Sequence, residues 1–557
     1  MTQSSSGHAP GWPARSLALR AGPAVARCLM RTSPLVFALY APLALLAANI
    51  LEVQPSAAAR SILVSLLLGV AAIGVSRVLL RDTASATVLA CAIVIGFFSY
   101  GHLYDGLKSL GPTGISLARH RYLTLFALAI LLGLTFLLSR RTKLGPPMAL
   151  WLTAFGWFLV AFPVATLIYS RIREMETPPP TLEVVQGELM ASREDLPDVY
   201  YVILDGYGRQ DVLSALFDYD NRPFLDFLRS RGFSVADRAM SNYNFTFYSL
   251  ASSLNMAYLG QVAHQDLSYR QSVRDYLKGN QVFRQMRSLG YQVVAFDTGF
   301  SPTTFDGADL FLKPDYGPSS EEERLYANLT LNEFEGLLLH TTWGRAVLDS
   351  YAREIRRQAP GLIDFSYEKH RARVLFTISS LSEIAQRPGA YFVMAHVVAP
   401  HPPFVFGPQG QRLIQTEPFS LSEIGCCEQD EYVSRYRDQV EYVNHLLRLE
   451  IDEILRASDV PPIILLQGDH GPGGHLERQS ASRLGMQARM AILSAYYLPD
   501  GETGALNPGI TPVNSFRLIF NQLFGGKFPS LDDVSYFVDL DGSDATVIVP
   551  PFSMYDD

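Results

Sequence analysis

The chain has 557 residues, 48% of them hydrophobic and 18% charged, with a mean hydropathy of +0.11 and a formal net charge of -8. These averages conceal a division: residues 1–173 hold three acids (Glu52, Asp82, Asp105) against fifteen Lys and Arg, a local net of +12, so the remaining residues carry -20. A uniform soluble domain is excluded, disorder is excluded by the aromatic content, and an acidic C-terminal part would repel nucleic-acid phosphates, so no nucleic-acid partner is expected.

Five apolar stretches near 34–51, 61–80, 83–103, 122–139 and 148–169 are each long enough to cross a hydrocarbon core of roughly 30 Å as a helix. A soluble bundle would need amphipathic partner faces, which five such stretches with short connections do not provide. Residues 1–173 are therefore read as a five-helix transmembrane domain. Nine Lys and Arg (Arg15, Arg20, Arg27, Arg31, Arg77, Arg81, Arg140, Arg141, Lys143) fall on one side of the membrane and six on the other. Cytoplasmic loops are enriched in basic residues, so the N-terminus is expected inside and the chain after residue 170 outside.

Residues 174–197 lack periodicity and contain the Pro178-Pro179-Pro180 triplet, as a semi-rigid linker would. The adjacent Cys426 and Cys427 are poorly placed for an ordinary disulfide and have no further ligand-type residues at metal spacing, so a structural role is expected.

From residue 198 the pattern changes to short apolar runs ending in polar clusters and separated by helical stretches such as Arg435–Ala457. Val199 to Asp205, Tyr291 to Asp297, Tyr391 to His396 and Ile463 to His470 each read as a buried strand. The alternation predicts, over 198–550, an α/β domain with a largely parallel central sheet flanked by helices. Ligands bind such sheets beyond the carboxyl ends of the strands, where these acids and histidines gather.

Four segments carry candidate chemistry. Leu204-Asp205-Gly206-Tyr207-Gly208-Arg209 ends a strand in an acid, or is simply a strand and its turn. Thr246 follows a polar loop and opens a small-residue helix, where it could face an anion at the helix N-terminus or serve as an N-cap. The third segment, His396-Val-Val-Ala-Pro400-His401-Pro402-Pro403-Phe404, holds His401 in a proline-stiffened loop, where a hydrogen-bonded loop histidine is the plain alternative. Asp469-His470-Gly471-Pro-Gly-Gly474-His475 pairs a carboxylate with an imidazole beside glycines that permit close backbone approach. Together they suggest a divalent cation at Asp205, Asp469 and His470 that also binds the Thr246 hydroxyl and makes it a usable nucleophile. His401 would neutralise or protonate, and His396, His475, Arg209 and Asn255 lie close enough in sequence to touch substrate.

In this order, the strand-Asp-Gly, helix-opening Thr, His-containing proline loop and Asp-His-Gly segments resemble the alkaline phosphatase/sulfatase superfamily. Five spans before the catalytic part resemble lipoteichoic acid synthases and phosphoethanolamine transferases of bacterial envelopes. The resemblance implies an alkaline phosphatase-like fold and one divalent metal ion, Zn or Mn with Mg or Ca as further options, bound by Asp205, Thr246, Asp469 and His470. It implies a phospho-enzyme at Thr246, with His401 on the substrate phosphate, and catalysis outside the cytoplasmic (inner) membrane. The expected partners are a phospholipid donor and an envelope glycan or lipid acceptor. The sulfatase Cys/Ser-x-Pro-x-Arg signature is replaced by Thr246-Phe-Tyr-Ser-Leu, which disfavours sulfate esters, and Asp205 stands where the envelope transferases commonly have Glu. Hydrolysis of phosphodiesters or phosphonates with water as acceptor is the enzymatic alternative, and a non-catalytic module for polysaccharide assembly is the other.

Overall fold

The computed structural model describes residues 23–50, 55–108, 118–176, 196–259, 267–315, 332–347, 360–413, 426–474, 482–499, 506–538 and 546–554, with a few isolated positions including Glu423. His475 and the proline triplet lie outside the described residues. The chain divides into two compact units, one made of residues 1–44 and 62–162, the other of 45–61 and 163–557.

Five helices, Pro23–Ala48, Ala59–Leu79, Thr83–Lys108, His120–Arg140 and Gly145–Glu176, coincide with the expected spans and are long and apolar enough to cross a membrane. The first starts earlier than expected and accommodates Pro34 and Pro42, while the last runs past residue 169 through Ser170-Arg-Ile-Arg-Glu-Met-Glu176. In the smaller unit, Leu80, Ala86, Val88, Leu89, Leu138 and Ala149 pack together, whereas Leu125, Leu132 and Phe158 are exposed. Apolar side chains turned outward around a helical bundle suit lipid as solvent.

The larger unit is built on a seven-stranded mixed sheet in the order β2-β7-β6-β1-β5-β3-β4. The strands are β1 (Val199–Leu204), β2 (Ser234–Val235), β3 (Gln292–Phe296), β4 (Leu310–Leu312), β5 (Tyr391–Val397), β6 (Ile463–Gly468) and β7 (Ser494–Tyr497). Strands β6, β1, β5, β3 and β4 run parallel, and β7 pairs antiparallel with β6 and β2. All six residues of β1 and of β6 and all seven of β5 are buried, as expected of central strands covered on both faces.

Side-chain alternation divides the core in two. Tyr200, Val202 and Leu204 face the 29-residue helix Gln429–Ala457, whose buried Tyr432, Tyr436, Val440, Val443, Leu447, Ile451 and Ile454 recur every three or four residues. This helix begins six residues before the expected Arg435, with Asp430 and Glu431 in its first turn opposing the helix dipole. Its His445 is exposed. Tyr201, Ile203, Met394 and Leu465 face the other way, onto helices Thr246–Asn255, Gln281–Ser288 and Pro512–Leu523. Beyond the main sheet, β8 (Ser535–Val538) and β9 (Thr546–Val549) form an antiparallel pair.

Candidate functional site

Register brings the candidate acids together. Leu204 pairs with Val397 on one side and Gly468 on the other, so Asp205 and Asp469 leave adjacent parallel strands at the same level. His396 pairs with Ile203, which lies two residues before Asp205 and therefore on the same face. That face carries helix Thr246–Asn255, and Thr246 is its first residue, with Phe245 as an N-cap that makes no side-chain cap bond.

The loop before Thr246 is clamped by side chains that imitate backbone. Asn244 accepts from Val538 N at 2.8 Å and donates to Val538 O at 2.9 Å, and Asn242 accepts from Val513 N at 2.8 Å. The Ser241 hydroxyl donates to the Asp469 carbonyl oxygen. These bonds join the threonine loop to the β6 terminus and to β8. Rather than capping its helix, Thr246 places its Oγ1 3.1 Å from Nε2 of His470.

The opposite wall is a pair of turns. Gly206 has a φ of 73°, which favours glycine, and its N–H donates to Asp469 Oδ1 at 3.1 Å. The Tyr436 hydroxyl donates to Gly206 O at 2.8 Å and accepts from Gly208 N at 3.0 Å, pinning the turn after Asp205. Asp469 Oδ1 also accepts from His470 N at 2.9 Å.

Among the described residues of this cluster, three buried ligand-type atoms have no hydrogen-bond partner: Asp205 Oδ1, Asp469 Oδ2 and His396 Nε2. Asp205, His396 and Asp469 each offer an atom to a group lying within 4.8 Å of one another. His470 Nε2 joins them, 3.5 Å from Asp205 Oδ1 and 3.4 Å from Asp469 Oδ2, and His396 Nε2 is 3.4 Å from Asp205 Oδ2. His470 Nδ1 is 3.0 Å from the Gly471 carbonyl, which can only accept, so Nδ1 carries the proton and Nε2 the lone pair. His396 Nδ1 is oriented by the Thr303 hydroxyl at 2.8 Å. An imidazole oriented through its second nitrogen is the usual arrangement of a histidine metal ligand. Two carboxylates and two imidazoles suit Zn or Mn, and leaving carboxylate oxygens buried without partners is costly unless a cation or proton compensates them. The residues present therefore fit a divalent cation.

Two participants carry no motif in the sequence. Arg489, in helix Arg483–Met490, donates to Asn244 O at 2.9 Å and Gly471 O at 3.1 Å, with Nη2 3.0 Å from His470 Nε2. It forms an ion pair with Glu423, which also receives hydrogen bonds from Gly473 N and the Tyr432 hydroxyl. His401 Nε2 lies 3.6 Å from Glu423 Oε2. Burial by itself would raise the Glu423 carboxyl, but Arg489, His401 and His470 pull it down to about 2. Burial disfavours the charged form of His401, yet the carboxylates of Asp205 and Glu423 outweigh it and raise its pKa. For His470, burial and Arg489 prevail over the nearby carboxylates and lower the imidazole's pKa.

The structure thus gathers Asp205, Thr246, His396, His401, Asp469 and His470. His396, expected near substrate, lies beside Asp205 and Asp469 in a group that could hold a cation, because strand register sets it on the Asp205 face. Two further sequence candidates are not drawn into this cluster. Arg209 is held by Asp211 at 2.7 and 2.8 Å and by the Ala239 and Phe552 carbonyls, and its guanidinium covers the Phe552 ring. Asn255 closes the far end of the Thr246 helix, bonding Ala251 O, Tyr276 O and Gln281 N. Cys426 and Cys427 are free and half-buried, with their sulfurs 2.8 Å apart.

No protein-family model and no curated protein matches the chain. Among solved structures, the C-terminal periplasmic domain of EptC from Escherichia coli aligns at 11% identity over 66% of this chain and 96% of that one, with a TM-score of 0.42. A zinc complex of that domain aligns at 12% identity over 63% and 87%, with a TM-score of 0.38. The integral membrane lipooligosaccharide phosphoethanolamine transferase A of Neisseria meningitidis aligns at 12% identity over 89% of this chain and 95% of that one, with a TM-score of 0.36. A 2-O GAG sulfatase aligns at 11% identity over 62% and 77%, with a TM-score of 0.36. The chain is similar to phosphoethanolamine transferases and sulfatases. At these identities and scores the chemistry is left to the residues themselves.

Proposed function

We propose that the protein is a membrane-anchored, metal-dependent phospho-transferase that moves a phosphoglycerol- or phosphoethanolamine-like group from a phospholipid to an envelope glycan or lipid. The observation that carries this reading is the convergence of three unpartnered buried ligand atoms, on Asp205, His396 and Asp469, beside His470 and a helix-opening threonine. Five apolar helices on the same chain support a lipid donor. The basic-residue asymmetry supports catalysis on the non-cytoplasmic side, which on this reading is the periplasmic side of a bacterial inner membrane.

Asp205, Asp469 and His470 would hold the cation with Thr246, and His396 offers a further donor. A divalent cation bound there lowers the pKa of a ligated hydroxyl and offsets charge on phosphoryl oxygens. Thr246 Oγ1 releases its proton to solvent and attacks phosphorus; the new O–P bond forms as the P–O bond to the lipid alcohol breaks, and His401 protonates the departing oxygen. Arg489 stands 3.0 Å from His470 Nε2 in this structure; with that nitrogen's lone pair given to the cation, the guanidinium would instead face the negative charge gathering around Thr246. An acceptor hydroxyl, giving its proton to His401, then attacks the phospho-threonine; the O–P bond to Thr246 breaks, and its oxygen takes a proton back from solvent. Water in place of that acceptor would make the same intermediate hydrolytic.

The test is to incubate the full chain with headgroup-labelled phospholipid and Zn²⁺ or Mn²⁺ and to seek the label on Thr246 by mass spectrometry. Labelled Thr246, absent from Thr246→Ala, supports the reading. A metal-loaded protein that never labels there, with Thr246→Ala fully active in cells, overturns it.

A further inference from the structure

A cavity of about 340 Å³ lies on the larger unit between helices Leu267–Lys278 and Gln281–Ser288 and the loop after β3. It is lined by Arg274, Lys278 and Arg287, by Asp275 and Asp306, and by an apolar floor of Phe283 and Phe305 with ring centroids 5.0 Å apart. None of these residues belongs to the cluster around Asp205 and Thr246.

Two of its cations are held by the same turn. Lys278 donates to the Thr304 carbonyl, its Nζ lies 5.0 Å from the Phe305 ring centroid, and Arg274 donates to Ser301 Oγ at 3.1 Å. Burial, and then Arg274, pull the Lys278 ammonium down to about 8, with Asp306 only partly compensating. Arg287 at the rim is engaged by Asp309 at 3.0 Å. A cavity lined by an ammonium, a guanidinium and two aromatic rings is suited to a compact anion with several acceptor oxygens. A phosphate group meets that description, since one oxygen can face Lys278 while others receive the guanidinium fork of Arg274.

The position of the cavity gives it a connection to the cluster. Ser301, Thr303 and Thr304 belong to one turn, in which Ser301 holds Arg274, the Thr304 carbonyl holds Lys278, and the Thr303 hydroxyl holds His396 Nδ1. We propose that this cavity is a second binding site, separate from the Thr246 cluster, for a phosphate-type anion bridged by Arg274 and Lys278. A lipid headgroup and a soluble phosphorylated sugar share that chemistry. The site does not depend on the phospho-threonine reading.

The experiment titrates inorganic phosphate into the full chain in detergent micelles after chelator treatment, with binding followed by calorimetry. An Asp469→Asn background removes phosphate binding at the cation cluster from the signal. Lys278→Gln is expected to weaken phosphate binding at least ten-fold and Lys278→Arg to weaken it less, because the positive charge is kept. Should Lys278→Gln fail to fold, Arg274→Gln, which alters a side chain bonded to Ser301 Oγ, serves as the second variant with the same expected loss. Vesicles of phosphatidic acid and a soluble sugar phosphate are then competed against phosphate, and displacement by either one identifies the source. Phosphate binding that is unchanged in both cavity variants, or that disappears in Asp469→Asn alone, overturns the proposal.

Discussion

Arg489 and Thr246 meet at one nitrogen: His470 Nε2 is 3.0 Å from the Arg489 guanidinium and 3.1 Å from the Thr246 hydroxyl. A fixed positive charge therefore stands one atom away from the proposed nucleophile, on a side chain whose remaining donors hold Asn244, Gly471 and Glu423. Lysine cannot reproduce that fork. Arg489→Lys is expected to lower phospholipid turnover by roughly ten- to a thousand-fold with a smaller change in KM, since the lost interaction is felt most as charge develops. Steady-state kinetics on headgroup-labelled lipid check this.

Metal removal separates the donors. Chelation is expected to abolish turnover, and Zn²⁺ or Mn²⁺ to restore it. His396→Ala should weaken metal affinity by roughly ten- to a hundred-fold if the imidazole ligates or orients the ion. Metal titration followed by elemental analysis checks both, and His396→Ala binding metal as the parent does would return His396 to a substrate-contact role.

Gly471 has no room for a side chain: an added Cβ would lie 2.1 Å from the Ala488 carbonyl oxygen and 2.7 Å from that of Ala491. Both neighbours are backbone atoms and cannot swing aside. Gly471→Ala is expected to push the His470 turn outward, reducing bound metal per chain while the melting temperature falls by only a few degrees, an effect of about 1–3 kcal/mol.

Tyr436 is a remote support for the same centre, through its two bonds to the turn after Asp205. Tyr436→Phe leaves Gly206 O and Gly208 N without that partner in a buried place. The expected cost is about 1–3 kcal/mol, read from thermal melts, together with weaker metal binding.

Asp198 lies outside this centre and gives the unit a pH dependence. Burial raises its carboxyl to about 6, the bond from Tyr391 N at 2.8 Å opposing the shift. Between about pH 4 and pH 6 the folded protein keeps a proton that the unfolded chain releases, so this residue's contribution to stability falls as pH rises through that window. Asp198→Asn keeps an acceptor for Tyr391 N and cannot ionise. Its melting temperature should lose that part of the slope, worth on the order of 1–3 kcal/mol across the window.

The sequence made the strand-end acids legible because apolar runs ending in Asp205, Asp469 and His470 state their own position. Thr246 was legible from the polar loop that leads into a small-residue helix. The placement of His396 required knowing that it pairs with Ile203, which no local pattern reveals. Glu423 and Arg489 could not be read, because the partners that define them, each other 66 positions apart and Asn244 245 positions from Arg489, are distant in sequence, and neither stands in a motif. Arg209 and Asn255 show the converse case. Nearness in sequence to a candidate ligand suggested substrate contact, whereas buried backbone carbonyls and Asp211 take up their hydrogen-bonding capacity.

Asp205, His396 and Asp469 stand on or immediately after β1, β5 and β6, three adjacent strands in the middle of the sheet. Interior strands open only when the whole domain opens, while loops and edges open locally at much lower cost. The donors therefore remain assembled while the periphery frays, and hydrogen exchange at these strands should be the slowest in the domain. Preparations that have merely been stripped of metal should recover by adding it back, without refolding. Permanent inactivation should coincide with melting of the sheet itself.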